Sequence, residues 1–387
     1  MISKLIYILD SRMPTEKAYG YQSSKMCEQF ANLGVAVELW SPKRKNHITE
    51  DIFSFYNLKN NFKHKIIHTP ELAFLPNFLR YWQFLLQNLL FFVKLIFIKI
   101  DKQAIVYSRS SLFCFLAILK HRKTVYECHD WFAKGKFFHL SLLKFVDKIV
   151  VTNYFIKEQF IKHNFVAGKI LVSPNGVDLS IFDLTIDKKQ ARLKVNNIFN
   201  INNILDKKIL FYSGSFKTMG NEKGLKEVIT VLSKLSQDFI LLAVGGNQID
   251  IQYYQKIAID LEIEDKVYFL PKQKQNILAI LQKASDVLLM PFPKIAHYEF
   301  FMTPLKMFEY MASQRPIVAS NLPSIKQILD DTSCLFYRVG DLEDLKNKII
   351  LAVSDEGLVE KISFSAHLKV QQYDWQKRAN NILNFIQ

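Results

Sequence analysis

The chain has 387 residues, of which 49% are apolar, and its formal net charge is +15. This length exceeds what one hydrophobic core usually serves, and the apolar fraction is enough to fill two cores, so the sequence suggests two domains. Its four cysteines have neither C-x-x-C spacing nor a secreted framework, which predicts reduced core thiols of a cytoplasmic protein and no zinc site.

Short apolar runs alternate with longer amphipathic ones, a pattern typical of an α/β fold with doubly wound parallel sheets. The first run ends near Asp10; it is too short for a signal peptide and is predicted to be the first strand. The strands predicted in the first half are Leu5–Leu9, Val35–Trp40, Ile105–Ser108, Val125–Cys128, Lys148–Thr152 and Ile170–Ser173.

Residues directly after these strands are candidates for a site, because open α/β sheets bind ligands beyond the carboxyl ends of their strands. In the loop after the first strand, Gly20 would let a ligand approach the backbone closely. Arg109 follows the third strand, where it could hold an anionic ligand or form a structural ion pair. His129 and Asp130 follow the fourth strand and could orient a hydroxyl group or relay a proton.

Charge is distributed unevenly along the chain. Residues 1–185 hold 25 Lys and Arg against 14 Asp and Glu, a net of +11, whereas residues 186–387 hold 26 against 22, a net of +4. In the first half, Phe78–Ile100 is nearly all aromatic or aliphatic and has one narrow polar stripe. This pattern fits a buried core helix and an interfacial helix equally well, and the polar stripe disfavours a transmembrane span. Trp131–Leu140 interleaves bases with aromatics, and no nucleic-acid recognition motif accompanies it, so an anionic membrane surface is the better candidate partner.

The second half begins with a polar segment at about residues 183–205, which is predicted to be an interdomain linker with a short helix. Gly214 and Ser215 follow the next strand, Lys223 precedes another glycine, and Gly246 lies after a further strand. The strands predicted in this half are Ile209–Ser213, Ile240–Val244, Val267–Leu270, Val287–Met290, Ile317–Ser320 and Leu335–Tyr337.

The segment 302–320 is predicted to contain a helix whose start is directed at an anion. Thr303 can cap the helix, Pro304 suits its first position, and free backbone N–H groups at Leu305 and Lys306 favour a phosphate. Glu309 lies within two turns of that point, near enough to accept hydrogen bonds from a hydroxyl of the same ligand.

This segment resembles the nucleotide-sugar motif of retaining glycosyltransferases of the family-four, or group 1, type. Further matches follow the family's order along nearly the whole chain: Ser173–Asp178, Tyr212–Ser215, Lys223-Gly224, Ala284–Pro291 and Tyr373–Trp375. The resemblance implies the GT-B fold, in which two Rossmann-like domains face a cleft and a C-terminal helix crosses back onto the first. The expected domains are 1–182 with 374–387, which binds the acceptor, and 183–373, which binds the donor.

The resemblance also implies roles for the candidate residues. Lys223 is expected to contact the donor diphosphate and, with His129, to be catalytic, whereas Glu309 is expected to bind the donor ribose. The expected donor site comprises Gly214, Ser215, Lys223, Gly246, Thr303, Pro304, Leu305, Lys306 and Glu309. Gly20, Arg109 and Asp130 are expected on the acceptor side. Two positions depart from the family pattern: Phe301 replaces the first glutamate of the Glu-x7-Glu pair, and Ser215 stands where an arginine often follows the glycine.

Cleavage of the bond from an anomeric carbon to a nucleotide diphosphate places growing negative charge on the phosphate. Metal-dependent transferases commonly recruit a cation through a D-x-D motif, which this sequence lacks, and Lys223, Lys306 and the helix start can supply the positive potential instead. The expected activity is retaining transfer, without metal or cofactor, from a nucleotide sugar to a glycan or lipid-linked acceptor in polysaccharide or glycolipid synthesis. The expected location is cytoplasmic, peripheral on the inner membrane face.

Two alternatives remain open. One is another GT-B enzyme, such as a nucleotide-sugar epimerase or an inverting transferase, which the motif at 302–320 disfavours. The other is a non-catalytic nucleotide-sugar-binding subunit, which Phe301 and Ser215 favour. A dehydrogenase is disfavoured because no G-x-G-x-x-G follows the first strand.

Overall fold

The computed structural model describes residues 2–70, 80–132, 135–201, 204–218 and 220–387. The chain divides into two compact units, one formed by Met1–Asn175 with Trp375–Gln387 and the other by Gly176–Asp374. Each unit is built on its own parallel sheet with helices between successive strands, as the sequence predicts.

The first unit contains a seven-stranded parallel sheet with the strand order β3-β2-β1-β4-β5-β6-β7. Its strands are β1 (Lys4–Ile8), β2 (Ala36–Pro42), β3 (Lys63–Ile67), β4 (Ala104–Ser108), β5 (Thr124–Cys128), β6 (Lys148–Val151) and β7 (Ile170–Val172). Its helices are α1 (Ala18–Asn32), α2 (Ile52–Tyr56), α3 (Arg80–Phe97), α4 (Ser111–Leu119), α5 (Lys136–Leu143), α6 (Tyr154–Lys162) and the C-terminal α16 (Trp375–Ile386).

The second unit contains a six-stranded parallel sheet with the order β12-β11-β8-β13-β14-β15, and a small antiparallel hairpin, β9-β10. Its strands are β8 (Lys208–Ser213), β9 (Lys217–Thr218), β10 (Asn221–Glu222), β11 (Phe239–Val244), β12 (Val267–Leu270), β13 (Val287–Met290), β14 (Ile317–Ser320) and β15 (Leu335–Tyr337). Its helices are α7 (Leu179–Phe182), α8 (Lys188–Phe199), α9 (Leu225–Leu232), α10 (Gln248–Asp260), α11 (Gln275–Ala284), α12 (Leu305–Ala312), α13 (Pro323–Lys326), α14 (Leu342–Ser354) and α15 (Glu356–Val370).

All twelve predicted strands are present, with ends shifted by no more than two residues. The sequence analysis missed β3, which lies at the edge of the first sheet and whose sequence, Lys-His-Lys-Ile-Ile, is only partly buried. Because one side of an edge strand faces water, the strand can carry lysines, and here these lysines interrupt the apolar pattern from which a strand is predicted. It also missed the hairpin β9-β10, whose strands are too short to show alternation.

The short helix predicted within residues 183–205 is present as α8. Asp187 and Gln190 form a capping box at the start of α8, which runs for twelve residues and packs against α11. The buried guanidinium of Arg192 donates to the carbonyl oxygens of Ala284 and Leu205 and pairs with Asp286. These contacts make the segment an integral part of the second unit.

The C-terminal helix α16 packs against α1, which confirms the prediction that the chain crosses back onto the first unit. One apolar face of α16 is buried, including Trp375 and Ile382, and Arg378 is buried with it. Across the ranges given above, no helix combines the length and the hydropathy that a membrane crossing requires. The predicted segments Phe78–Ile100 and Trp131–Leu140 extend in part beyond the described residues.

Candidate active site

The candidate residues of the second unit follow the carboxyl ends of its central strands. β8 lies between β11 and β13, and Gly214 comes directly after β8, Gly246 shortly after β11 and Pro291 directly after β13. The connections diverge here, because the chain leaves β8 towards β11 and later returns to β13 on the other side. Such a switch point is where open α/β sheets form ligand crevices.

Helix α12 begins near this edge, one residue later than the sequence predicts. Pro304 occupies the N-cap position in an extended conformation, and its side chain makes no capping hydrogen bond. The predicted cap by Thr303 is therefore wrong, because this buried residue lies one position too early. The N–H groups of Leu305 and Lys306 are in the first turn, where the helix dipole favours an anion.

Lys306 reaches from α12 to the end of β8. Its Nζ donates to the carbonyl oxygen of Ser213 at 3.0 Å and lies over the ring of Tyr212, 4.0 Å from the centroid. Burial, together with the charge of Lys223, holds the pKa of Lys306 well below its ordinary value. An anion placed beside this ammonium group would offset both effects.

Lys223 approaches the same strand end from the hairpin side. Its Nζ donates to Oγ of Ser215 at 3.0 Å, and that hydroxyl also lies 3.1 Å from Oγ1 of Thr218. Burial lowers the pKa of Lys223 to about 8. Ser215, which stands where the family often has an arginine, thus orients a lysine in this chain.

Two glycines allow the tight packing around these lysines. At Gly224 the backbone has φ +79°, and a Cβ atom would lie 1.6 Å from the carbonyl oxygen of Pro291. At Gly246 a Cβ atom would lie 2.3 Å from the ring of Phe216. Neither position has room for a side chain, so α9 and the loop after β11 lie directly against their neighbours.

Glu309 lies in the second turn of α12 and is partly buried. Burial raises the pKa of its carboxyl to about 7, although Gln282 and Lys306 favour the charged form. The next residue, Tyr310, fixes the helix to the sheet, because its hydroxyl accepts the N–H of Ser213 at 3.0 Å. Phe301, at the family's other glutamate position, lies in a π-helical turn, His297–Phe301. The nearby Glu299 pairs with Lys294 at 3.7 Å.

In the first unit the candidate residues follow β1, β4 and β5, which are adjacent in the sheet. The loop after β1 is held by Tyr56, whose hydroxyl accepts the N–H of Thr15 at 2.8 Å and donates to its carbonyl oxygen at 2.7 Å. Gly20 lies in the first turn of α1, where a Cβ atom would come within 2.2 Å of that hydroxyl. Gly20 is therefore needed for packing of this loop.

A buried carboxylate, Glu127, lies at the end of β5, and the sequence analysis did not single it out as a site residue. It is 1% exposed and accepts hydrogen bonds from the hydroxyl of Tyr7 at 2.8 Å and from Nε2 of Gln22 at 3.2 Å. Nη2 of Arg378 on α16 donates to it at 2.6 Å. Burial opposes ionisation, yet the charge of Arg378 above all, together with Arg109 and the contact with His129, outweighs it and holds the pKa of Glu127 well below its ordinary value.

His129 is brought against this carboxylate, with Nε2 3.0 Å from Oε1 of Glu127. Burial and the nearby charge of Arg109 lower the pKa of His129 to about 4, against the opposing pull of Glu127. The imidazole is therefore neutral at neutral pH and can act as a hydrogen-bond donor and acceptor.

Arg109 and Asp130 complete this edge of the first unit. The guanidinium carbon of Arg109 lies 6.0 Å from the ring centroid of Tyr19, and its charge influences both Glu127 and His129. Oδ1 of Asp130 accepts the N–H of Trp131 at 2.8 Å, so this carboxylate shapes the turn that follows β5. Across the part of the chain that the structure describes, His, Cys, Asp and Glu form no cluster able to hold a metal ion.

Two family profiles match consecutive parts of the chain: glycosyltransferase family 4 over residues 24–181 and glycosyl transferases group 1 over residues 194–368. An uncharacterized glycosyltransferase of Haemophilus influenzae is 27% identical over 202 residues, which cover 49% of this chain and 54% of that protein. A second, MJ1607 of Methanocaldococcus jannaschii, is 23% identical over 249 residues, which cover 64% of this chain and 61% of that protein. The chain thus spans a little more than half the length of these curated relatives.

Solved structures share the fold over nearly the whole chain. Sucrose-phosphate synthase of Thermosynechococcus elongatus has a TM-score of 0.75 at 16% identity, with 99% of this chain and 98% of that chain covered. Anabaena HepE in complex with UDP-glucose has a TM-score of 0.74 at 15% identity, with 98% of each chain covered. The lipopolysaccharide outer core galactosyltransferase WaaB has a TM-score of 0.67 at 17% identity, with 99% of each chain covered.

Two Rossmann-like parallel-sheet units define a protein of the GT-B class. Within this class, the chain belongs to the group 1 glycosyltransferases.

Proposed function

We propose that this protein is a hexosyltransferase-like enzyme that transfers a sugar from a nucleotide-diphosphate donor to a glycan or lipid-linked acceptor. The transfer retains the configuration of the anomeric carbon and needs no metal. The observation that carries the proposal is the pair of partly buried lysines, Lys223 and Lys306, beside the start of α12: burial lowers both pKa values, and the charge of Lys223 lowers that of Lys306 further. A bound diphosphate would offset the cost of keeping both lysines charged in this partly buried position. The solved structure of HepE, which shares the fold, is of a complex with UDP-glucose.

In this proposal the second unit binds the donor. The diphosphate contacts Lys223, Lys306 and the N–H groups of α12 from Leu305 onward, and Glu309 accepts a hydrogen bond from the ribose. Gly214 and Gly246 carry no side chain, so in this proposal the donor can approach the backbone after β8 and β11 closely. When the bond from the anomeric carbon breaks, its electron pair passes to the diphosphate oxygen, where preorganised positive charge is most effective.

The first unit supplies the acceptor side, at the strand ends that carry Gly20, Arg109, His129 and Asp130. A neutral His129 held by Glu127 can orient a sugar hydroxyl without adding charge. The acceptor hydroxyl oxygen forms the new bond to the anomeric carbon, and its proton leaves with the released diphosphate. Stereochemical retention rests on the family resemblance.

We also propose a role in the synthesis of a cell-surface polysaccharide or glycolipid, at the cytoplasmic face of the inner membrane. The +11 balance of residues 1–185 supports this location, as does the fold shared with WaaB, whose name refers to lipopolysaccharide. The second candidate is a non-catalytic nucleotide-sugar-binding subunit, favoured by Phe301 and Ser215 at positions where the family has Glu and Arg.

A thermal-shift screen of nucleoside diphosphates tests the donor site. A ligand at a hundredfold excess over its Kd stabilises the folded state by about 2.7 kcal/mol, so one nucleotide should raise the unfolding midpoint clearly above the others. Lys223→Met should abolish the shift, whereas Lys226→Met, an exposed neighbour in the first turn of α9, should retain it. If no diphosphate shifts the midpoint, the donor site is refuted.

Donor hydrolysis separates the two candidates, since an enzyme releases free nucleotide diphosphate from a nucleotide sugar and a binding subunit does not. We expect release that persists in excess chelator. Activity that is lost with chelator and restored by magnesium or manganese would contradict the metal-independent mechanism.

A further inference from the structure

Helix α3 carries apolar side chains on two opposite faces. On the inner face Phe91 and Leu95 are fully buried, and the ring of Phe91 packs edge-on against Phe113 of α4 at 5.4 Å. On the outer face the exposed side chains recur at helical spacing, and we call them the outer stripe: Leu85, Leu86, Leu89, Val93, Ile96 and Phe97. Leu89 is 55% and Phe97 80% exposed. The sequence left a core helix and an interfacial helix equally open, and the structure buries one face of α3 while the opposite face remains exposed.

The outer stripe is continuous and rigidly presented. It spans twelve residue steps, or about 18 Å along the helix axis. Because the inner face is fixed in the core, the outer side chains cannot turn inward without unpacking Phe91 and Leu95. An apolar helix face of this length that remains exposed marks an interaction surface.

The C-terminal end of α3 is held in place by a lysine of the neighbouring helix. Nζ of Lys120, directly after α4, donates to the carbonyl oxygens of Leu95, Ile96 and Ile98 at 3.0, 2.8 and 2.6 Å. Arg122 donates to the carbonyl oxygen of Ile100 at 3.0 Å. Positive groups on the last carbonyls satisfy them and suit the helix dipole, so the exposed Phe97 sits on a stable helix end.

Positive charge surrounds this end of the helix. Lys94 on α3, Lys99 and Lys102 after it, and Lys123 after α4 are all exposed. Asp101 is the single acidic residue of the sequence between residues 80 and 123, and it pairs with Lys4 at 3.5 Å. A second copy of this chain would bring a like-charged surface against these lysines, whereas anionic lipid headgroups would attract them.

We propose that the outer stripe of α3 docks on an anionic lipid bilayer, with the helix parallel to the membrane plane. The apolar side chains of the stripe enter the boundary between headgroups and acyl chains, and the four exposed lysines lie at the level of the lipid phosphates. This inference rests on the proposed membrane-proximal function and names the surface and the partner that serve it.

Vesicle flotation tests the docking surface. Vesicles of neutral phosphatidylcholine are compared with vesicles that also contain anionic phosphatidylglycerol. The intact chain should float with the anionic vesicles at low salt, and Leu89→Gln with Val93→Gln should lower the bound fraction at least about tenfold, because two buried apolar side chains are lost. Phe364→Gln with Leu368→Gln is the matched control, since these exposed residues are also four apart but lie on α15 of the other unit; it should float like the unchanged chain. The fluorescence of Trp82, which is 65% exposed on α3, should shift to the blue on anionic vesicles.

Equal flotation of the stripe variant and the control variant would overturn the proposal. So would a dimer that forms without vesicles and dissociates in the stripe variant, because it would assign the stripe to self-association. The nucleotide thermal shift is measured on the same samples to keep the two hypotheses apart. Failure to float with an intact nucleotide shift refutes the docking surface alone, whereas flotation without a nucleotide shift refutes the donor site alone.

Discussion

The ion pair between Arg378 and Glu127 provides the sharpest test of how the first unit is held together. Both side chains are almost fully buried, and Nη2 of Arg378 lies 2.6 Å from Oε1 of Glu127. The same guanidinium donates to the carbonyl oxygens of Pro174 at 2.7 Å and Ser173 at 3.2 Å. Arg378→Met keeps much of the side-chain volume but removes every one of these donors.

Removing one partner of a buried ion pair costs about 3–5 kcal/mol, because the other charge stays buried and uncompensated. Tyr7 and Gln22 still donate to Glu127 in the variant, so we expect the lower half of that range, about 3–4 kcal/mol, at pH 7. The pKa of Glu127 is held low in the folded state, so its contribution is present above its ordinary pKa and is lost as the pH falls through the folded value. In Arg378→Met burial dominates and that pKa rises. The stability difference between the two proteins should therefore shrink as the pH is lowered from 7 to about 4.

Urea unfolding followed by tryptophan fluorescence measures this difference in the first unit alone. The four tryptophans of the chain, Trp40, Trp82, Trp131 and Trp375, all belong to that unit. Lys377→Met, an exposed neighbour on α16, is the control and should change the free energy of unfolding by less than about 0.5 kcal/mol.

The double variant Glu127→Gln with Arg378→Met should be more stable than the sum of the single losses predicts, because no charge is left unpaired. A loss below about 1 kcal/mol in Arg378→Met, or a loss that does not depend on pH, would refute this account of the ion pair.

Three further predictions concern the second unit. The donor affinity of the wild type relative to Glu309→Gln should rise between pH 6 and 8 as the Glu309 carboxyl, with its pKa of about 7, ionises, because proton loss from Lys223 and Lys306 affects both proteins alike. Glu309→Gln should weaken binding by about 1–3 kcal/mol in a calorimetric titration at pH 8, and an affinity ratio that does not change with pH would contradict the ribose contact. Lys223→Met should lower turnover about 10²–10³-fold, and an unaltered turnover in this variant would exclude Lys223 from leaving-group stabilisation. In the wild type, kcat/KM should fall as the pH rises through about 8, where Lys223 loses its proton. Gly224→Ala should destabilise this unit more than Gly220→Ala does, as measured by calorimetry. Both glycines have φ +79°, but only a Cβ at position 224 meets the backbone of Pro291, so equal losses of stability would mean that φ alone matters.

The sequence by itself determined the fold class and the donor motif. Alternating apolar runs placed twelve strands, because a strand buried in a parallel sheet needs a short continuous run of apolar residues. The sequence also located the helix that carries Lys306 and Glu309, because a helix start, amphipathic turns and a buried strand follow one another within a short segment of the chain. The residues that each motif contains were therefore predictable, and the family resemblance supplied their expected roles.

The tertiary structure alone decided which of those residues meet, and in what charge state. Glu127 acquires its low pKa from Arg378, which is 251 positions away, and Lys306 acquires its own from burial at the end of β8. Local patterns extend over a few residues, whereas burial and charge pairing depend on groups that folding brings together from distant parts of the chain. For the same reason the periodicity of α3 shows an apolar helix, but only the packing of Phe91 and Leu95 shows which face remains outside.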